Sequence, residues 1–450
     1  MSANSDQIVF HPEAAKRFDQ EAIGIRGTVQ GLQVIQSGPS DAPDLHPVAT
    51  ISPEDILSRS KFVYEHDAAG DPSGVFWVSG AMRVGWVGEA FQPIKTLVEK
   101  MGQLKPIRDL ISDEFLLHEI CGWLCDSLEC RRSDGLADYL TTRFNEVVKD
   151  QEIWIPLFRT YSAREFGLGP VRFQSISRKI MDEWWTRIPP HVLEDQRNVS
   201  ALNKRRSELQ ARLAACIRVR AEEKKAVELA RAAAQNATAL LRFLSPATLN
   251  SRLTSYCTPG GTEGVDVCIE LFMDKGRIGT MSRGVPDHHN TDWRLDASIE
   301  LRPGALENLD RLATDPVSTE YRKSLYDALI LYSRQPLARE ISDKLVFTLS
   351  ALESMLLRDS NEPIQKNLGE RMAFLIGQSV QQRKDIVKNI DEVYRIRSAF
   401  VHHGQTARHV ETVDRFLVNA WATMSRLLDF VPRFRTKAAL IGALEDQKMS

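Results

Sequence analysis

The sequence predicts an α+β protein: a mixed α/β N-terminal region, a long helix with a small β insert, and a C-terminal all-α helical bundle. Three observations predict it. Apolar runs broken by Gly, Asp and Pro mark the first 200 residues as strands mixed with helices. Residues 199–244 contain no Pro or Gly and are rich in Ala, Arg, Glu, Lys and Leu, all good helix formers. Beyond Pro316, apolar residues recur at helical spacing through five segments joined by short links. The expected domains are 1–198, 199–314 and 315–450, divided best at 311–318 for the bundle.

Each element follows from local pattern. Segment 62–88 reads as strands joined by turns. Segment 111–128 reads as a helix, because Leu117, Ile120, Leu124 and Leu128 recur three and four apart. Segment 152–174 is strand-like, and 176–188 is a helix stopped by Pro189-Pro190. The long helix 199–244 ends at Ser245-Pro246. Segments 265–273 and 294–302 are β-rich and are expected to be strands, with 276–293 a loop between them. Helices are expected over 324–335, 339–358, 366–378, 382–404 and 408–431. In the last, Val410, Val413, Leu417, Trp421, Met424, Leu428 and Val431 form one stripe. Short helix–helix joints favour antiparallel neighbours and hence a bundle.

Composition bounds the function. Apolar residues at 43 % and charged residues at 26 % are the balance of a soluble globular chain. A net charge of −2 provides no global basic field, so a nucleic-acid surface must be a local patch. The first residues have no basic start followed by an apolar run, so no secretory signal is expected. No apolar run approaches the roughly 18–20 residues that span a bilayer, so no membrane partner is expected. Six cysteines are sparse for this length, which points to reduced thiols and a cytoplasmic setting. The sequence has no Walker A loop, HExxH pair or nucleophile elbow, which argues against nucleotide hydrolysis, zinc proteolysis and α/β-hydrolase chemistry.

The chemistry concentrates in 391–404, DEVYRIRSAFVHHG. With Arg397 at zero on a helical wheel, Ile386, Ile390, Val393, Phe400 and Val401 all fall within roughly 60° of it. Arg397 therefore sits within an apolar stripe. A guanidinium keeps its proton and is costly to bury alone, so something must compensate: a carboxylate such as Glu353, a cleft open to water, or a phosphate ligand. His402 falls about 140° away on the same wheel. Either the last turn unwinds before Gly404, or the two residues meet across a dimer interface. Ser398 lies one turn before His402 and can orient its ring.

Arg397-Ser398-Ala-Phe-Val-His402, closed by Val-His-His-Gly and preceded by a helix carrying Ala351-Leu-Glu353-Ser, resembles the signature of HEPN ribonucleases. It is most similar to the Apea-like HEPN group among bacterial defence proteins, over about the last 120–135 residues. The resemblance implies a metal-independent endoribonuclease in which the ribose 2′-OH attacks the neighbouring phosphate, leaving a 2′,3′-cyclic phosphate and a 5′-OH. His402 would move the protons and Arg397 would hold the phosphate. It further implies RNA as substrate, no cofactor or metal, a homodimer through the C-terminal bundle, and a role in anti-phage defence or as a toxin. The N-terminal region would then be the sensor or substrate-selecting part, taking a phage-derived or protein trigger. The alternative is a non-catalytic dimerisation or binding module, with Arg397 paired to a carboxylate and His402 and His403 capping a helix C-terminus.

Other features carry less. Residues 204–231 hold nine Lys or Arg and four Glu, either an RNA-tracking surface or a solvated helix with internal ion pairs. Aromatic residues are absent from this run, which favours the solvated helix. His118, Cys121 and Cys125 share a helix side, with Cys130 beyond, but there is no Cys-x-x-Cys pair, so buried core thiols are expected. Asp287, His288, His289 and Asp292 fall in the expected loop. Trp184 and Trp185 are expected to anchor the core of the N-terminal region.

Overall fold

The structure, a computed structural model, describes residues 7–32, 62–79, 82–188, 190–194, 196–255, 257–259, 267–274, 277–284, 292–302, 304–359, 361–403 and 410–449. The chain forms two compact units. The first comprises Met1–Gln151 and Arg218–Leu229, the second Glu152–Ile217 and Ala230–Ser450. Both helices and strands are present, and the C-terminal part is helical, as the α+β reading requires.

In the first unit, helix α1 (Pro12–Arg26) precedes strands β1 (Gln30–Leu32), β2 (Val63–His66), β3 (Pro72–Ser79) and β4 (Met82–Val87). The strands form one antiparallel sheet in the order β1-β4-β3-β2. Helices α2 (Gln92–Gly102), α3 (Asp113–Leu128) and α4 (Leu136–Val147) follow the sheet. Phe18, Trp86, Phe91, Leu97, Leu124 and Phe144 are fully buried in one core. The Trp86 indole donates to the Ile25 carbonyl at 3.0 Å, so its polar edge is satisfied there. Gly85 is required where β4 passes β3, because a Cβ would lie 2.1 Å from the Val75 carbonyl oxygen. Ser112 caps α3, accepting from the Phe115 amide, and its hydroxyl donates to Glu222 at 2.8 Å.

In the second unit, β5 (Lys149–Pro156), β6 (Thr160–Tyr161), β7 (Phe166–Leu168) and β8 (Val171–Ser175) lead to helices α5 (Arg178–Trp185) and α6 (Gln196–Leu209). Then come β9 (Leu213–Ala221) and α7 (Glu223–Arg242), of which Arg218–Leu229 belongs to the first unit. The sheet order is β5-β9-β8-β7. The long helix expected over 199–244 is therefore two helices with a strand between them. Leu213, Ala214, Ala215, Cys216 and Ile217 are all buried in β9, which pairs antiparallel with β8. Ala and Leu have good helix propensity, but a short run buried on both faces gains more as a central strand. Ala211, at φ 64°, makes the turn into it.

Strands β10 (Val267–Asp274) and β11 (Arg277–Gly284) form an antiparallel hairpin, so the expected loop 276–293 begins as a strand. Segment 294–302 is corrected as well. Only β12 (Trp293–Arg294) is extended, parallel to β6, and Leu295–Leu301 is helix α8. Short alternating runs such as LDASIEL fit either period. Asp296 favours the helix from its first turn, accepting from the Ser162 hydroxyl at 2.7 Å and the Ala163 amide at 2.8 Å.

The bundle follows as α9 (Ala305–Thr314), α10 (Glu320–Tyr332), α11 (Ile341–Leu356), α12 (Ile364–Ile376), α13 (Val380–His403), α14 (Val410–Asp429) and α15 (Lys437–Met449). Tyr321, Leu349, Leu352, Met372, Ile390, Val393, Phe416 and Leu417 are buried in it. Helix α15 lies beyond the last expected segment. Its apolar Leu440, Ile441 and Leu444 recur at helical spacing and are buried. Among the described residues, no helix is long and apolar enough to cross a membrane.

Candidate functional site

The candidate site lies where α13 passes the last turn of α11. Ile386, Ile390 and Val393 bury one face of α13, and the same face carries Arg397 one turn on. There the burial gives way, since the Arg397 side chain keeps 32 % of its exposure and Glu353 keeps 20 %. Arg397 Nη1 donates to Glu353 Oε1 at 3.4 Å. Tyr394, three residues before Arg397, donates its hydroxyl to the same oxygen at 2.6 Å. Burial, and then the Glu353 carboxylate, push the Tyr394 phenol above its ordinary range, which keeps it a donor. Of the three compensations open for Arg397, the structure supplies two: a carboxylate partner and access to water.

Ser398 is exposed on α13. The side chains of Val401, His402 and His403 lie outside the described part of the chain, as does Gly404. The backbone of α13 is helical through His403, so the turn between Arg397 and His402 is not unwound. Position 402 therefore stands about 140° around the axis from position 397 and about 7.5 Å along it. Of the two ways to bring them together, unwinding before position 402 is removed.

A second arginine of the bundle shows what a structural role looks like here. Arg371 is 7 % exposed and is clamped on both sides. It donates to Glu362 at 2.6 and 2.9 Å, to Glu445 at 2.9 Å and to the Leu356 carbonyl at 2.6 Å. The guanidinium holds the Glu362 carboxyl down at about 2. Sequence reasoning missed this cluster because its members come from three separated segments. It also missed Lys344, which is fully buried on α11 and donates to the Leu253 carbonyl at 2.7 Å. Burial pushes its ammonium down to about 8, against the pull of Asp414. A signal existed: Lys344 precedes Thr348 by one turn, in the same buried stripe as Leu345, Leu349 and Leu352.

The remaining candidates separate. Cys121 and Cys125 are buried in the first unit, where burial raises the Cys121 thiol, while Cys130 is exposed. His118 is exposed, its ring 4.8 Å from that of Phe62. Among the described residues, no three His, Cys, Asp or Glu side chains converge as a metal site. The basic run 204–231 is not one helical face, because α6, β9 and α7 divide it. Arg206 pairs with Asp182, Lys224 with Glu114, and Lys225 with Glu228. Trp184 is half-buried edge-on against Trp154, beside the small core of Ile176, Met181, Ala214 and Cys216. Arg206 lies over the Trp185 ring. Asp287, His288 and His289 lie outside the described residues.

Compared with known proteins, the chain matches no family model, no curated protein and no solved structure.

Proposed function

We propose that this protein is a metal-independent endoribonuclease of the HEPN type, acting as a homodimer through its C-terminal bundle. One observation carries the reading: the contrast between Arg397 and Arg371. Arg371 is sealed and saturated by two carboxylates and a carbonyl. Arg397 is a third exposed and touches Glu353 through one nitrogen at 3.4 Å, which leaves guanidinium donors facing water at the end of the helix that carries His402. That is the state expected of an arginine that waits for a phosphate.

In the reaction, the ribose 2′-oxygen bonds to the adjacent phosphorus and the P–O5′ bond breaks. His402 takes the 2′-OH proton and a proton returns to the leaving 5′-oxygen, so the products are a 2′,3′-cyclic phosphate and a 5′-OH. Arg397 neutralises charge that grows on the phosphate, held in place by Glu353 and Tyr394. Ser398 orients the His402 ring. A second copy of the motif across the dimer brings together groups that one helix holds about 140° apart. The setting that fits is cytoplasmic, in anti-phage defence or as a toxin, with the N-terminal region as sensor or substrate selector for a phage-derived or protein trigger.

A second reading has an observation of its own. Arg397 does have a carboxylate partner, so the bundle can instead be a non-catalytic dimerisation or binding module. Cleavage of bulk tRNA and single-stranded RNA in EDTA, beside the Arg397→Ala/His402→Ala double variant, decides between them. Cutting by wild type alone, with cyclic phosphate ends, is the expected result. Equal cutting by both proteins would remove the assignment, and RNA binding without cutting, with or without the trigger, would favour the module.

A further inference from the structure

The cleft between the start of α10 and the segment after α14 has a volume of about 410 Å³ and is lined by three arginines, Arg311, Arg322 and Arg435, and by no carboxylate. Arg322 is the built element. Its side chain is 18 % exposed, and its two terminal nitrogens donate to the Ser318 hydroxyl at 3.0 Å and the Arg311 carbonyl at 2.7 Å. Its nearest carboxylate, Asp315, stands off at 3.8 Å, and its Nε is buried with no acceptor. Arg311 pairs with Glu307 on its solvent side. Arg435 is exposed and has no carboxylate partner among the described residues. The chain is tied at this point, since the Tyr321 amide donates to the Arg435 carbonyl at 3.0 Å. Ser318 and Thr319 add hydroxyls, and Phe434 provides a half-buried aromatic wall.

We infer that this cleft binds a nucleoside polyphosphate. Guanidinium forks and hydroxyls match phosphate oxygens, and three cations in one cleft match the charge of a di- or triphosphate better than that of a single phosphate. Phe434, whose ring the Arg433 guanidinium overlies at 5.1 Å, gives the nucleoside an apolar edge to rest against. The site is separate from the candidate cleavage site. Asn389 of α13 donates to the Thr412 carbonyl in the first turn of α14, and Arg397 lies two turns further on. The residues that line the cleft include none of Arg397, Glu353 and Tyr394. The inference therefore stands independently of RNA cleavage.

Isothermal titration of the full chain with ATP, inorganic triphosphate and adenosine tests it. ATP and triphosphate are expected to bind at one site, more weakly as salt rises, and adenosine alone is expected not to bind. The Arg311→Ala/Arg435→Ala double variant changes two exposed side chains and keeps the wild-type melting temperature without ligand, but binds ATP at least tenfold more weakly. Arg397→Ala binds ATP as wild type does. Absence of ATP binding, or equal binding by the double variant, overturns the inference. So does loss of binding in Arg397→Ala, or full displacement of ATP by a single-stranded oligoribonucleotide at matched phosphate concentration, which would assign the cleft to RNA.

Discussion

Arg397 and Glu353 meet through a single contact of 3.4 Å where α13 passes the last turn of α11, at a carboxylate oxygen that Tyr394 also holds. The pair is too exposed to hold the bundle together. Its strength as an ion pair is about 0–1 kcal/mol, the range of partly solvated pairs. What the contact does is fix the direction of a guanidinium that remains reachable from solvent.

Arg397→Ala is expected to slow RNA cleavage by at least about 100-fold, the cost of losing a preorganised charge at a developing oxyanion. Its unfolding free energy is expected to fall by no more than about 1 kcal/mol. Single-turnover cleavage and urea denaturation read the two quantities separately. Unchanged cutting with a large loss of stability would make Arg397 a structural residue.

Arg371→Ala is expected to do the reverse. It leaves Glu362 and Glu445 facing each other in a half-closed site, at a cost of about 3 kcal/mol. Melting curves check this. Acid dependence follows from Glu362, whose folded value of about 2 lies below the ordinary carboxylate value near 4.3. Its contribution is present above about pH 4.3 and is lost as pH falls through about 2. Wild type should lose stability over that window relative to Arg371→Ala. Parallel curves would contradict it.

Lys344 sets a dependence at the alkaline end. Its folded value of about 8 lies below the ordinary lysine value near 10.4, so between these the unfolded chain binds more protons. Stability therefore rises with pH across about 8 to 10.4. Measured against Lys344→Met at pH 7 and pH 10, wild type should gain, by on the order of 2–3 kcal/mol at most. An equal response in both proteins would mean that the ammonium is not desolvated.

Gly85→Ala puts a Cβ 2.1 Å from the Val75 carbonyl oxygen and 2.7 Å from the Phe76 Cα, both backbone atoms of the facing strand. Overpacking of this kind costs about 1–3 kcal/mol. The melting temperature should drop while RNA cleavage per folded molecule stays constant.

The bundle was legible because Val413, Leu417, Met424 and Leu428 repeat at a period that only a helix can bury on one side. Strand β9 was not, because Leu213 to Ile217 is apolar at every position and carries no period at all. Its state is decided by β8, more than 35 residues upstream in the chain. The site divides in the same way. That Arg397 needed compensation could be read from its place on the wheel, and Glu353 stood among the alternatives. That Tyr394 shares the Glu353 oxygen could not, since nothing local states which turn of α11 faces which turn of α13.

The first unit uses the chain twice: it runs to Gln151 and takes back Arg218–Leu229 after the strands and helices of 152–217. No single cut in the chain therefore separates the two units. A truncation at residue 198 or 310 either strands 218–229 without the core it completes or removes the sheet of the second unit. Splitting the protein genetically calls for rejoining Gln151 to Arg218 through a short linker, with 152–217 supplied to the other half.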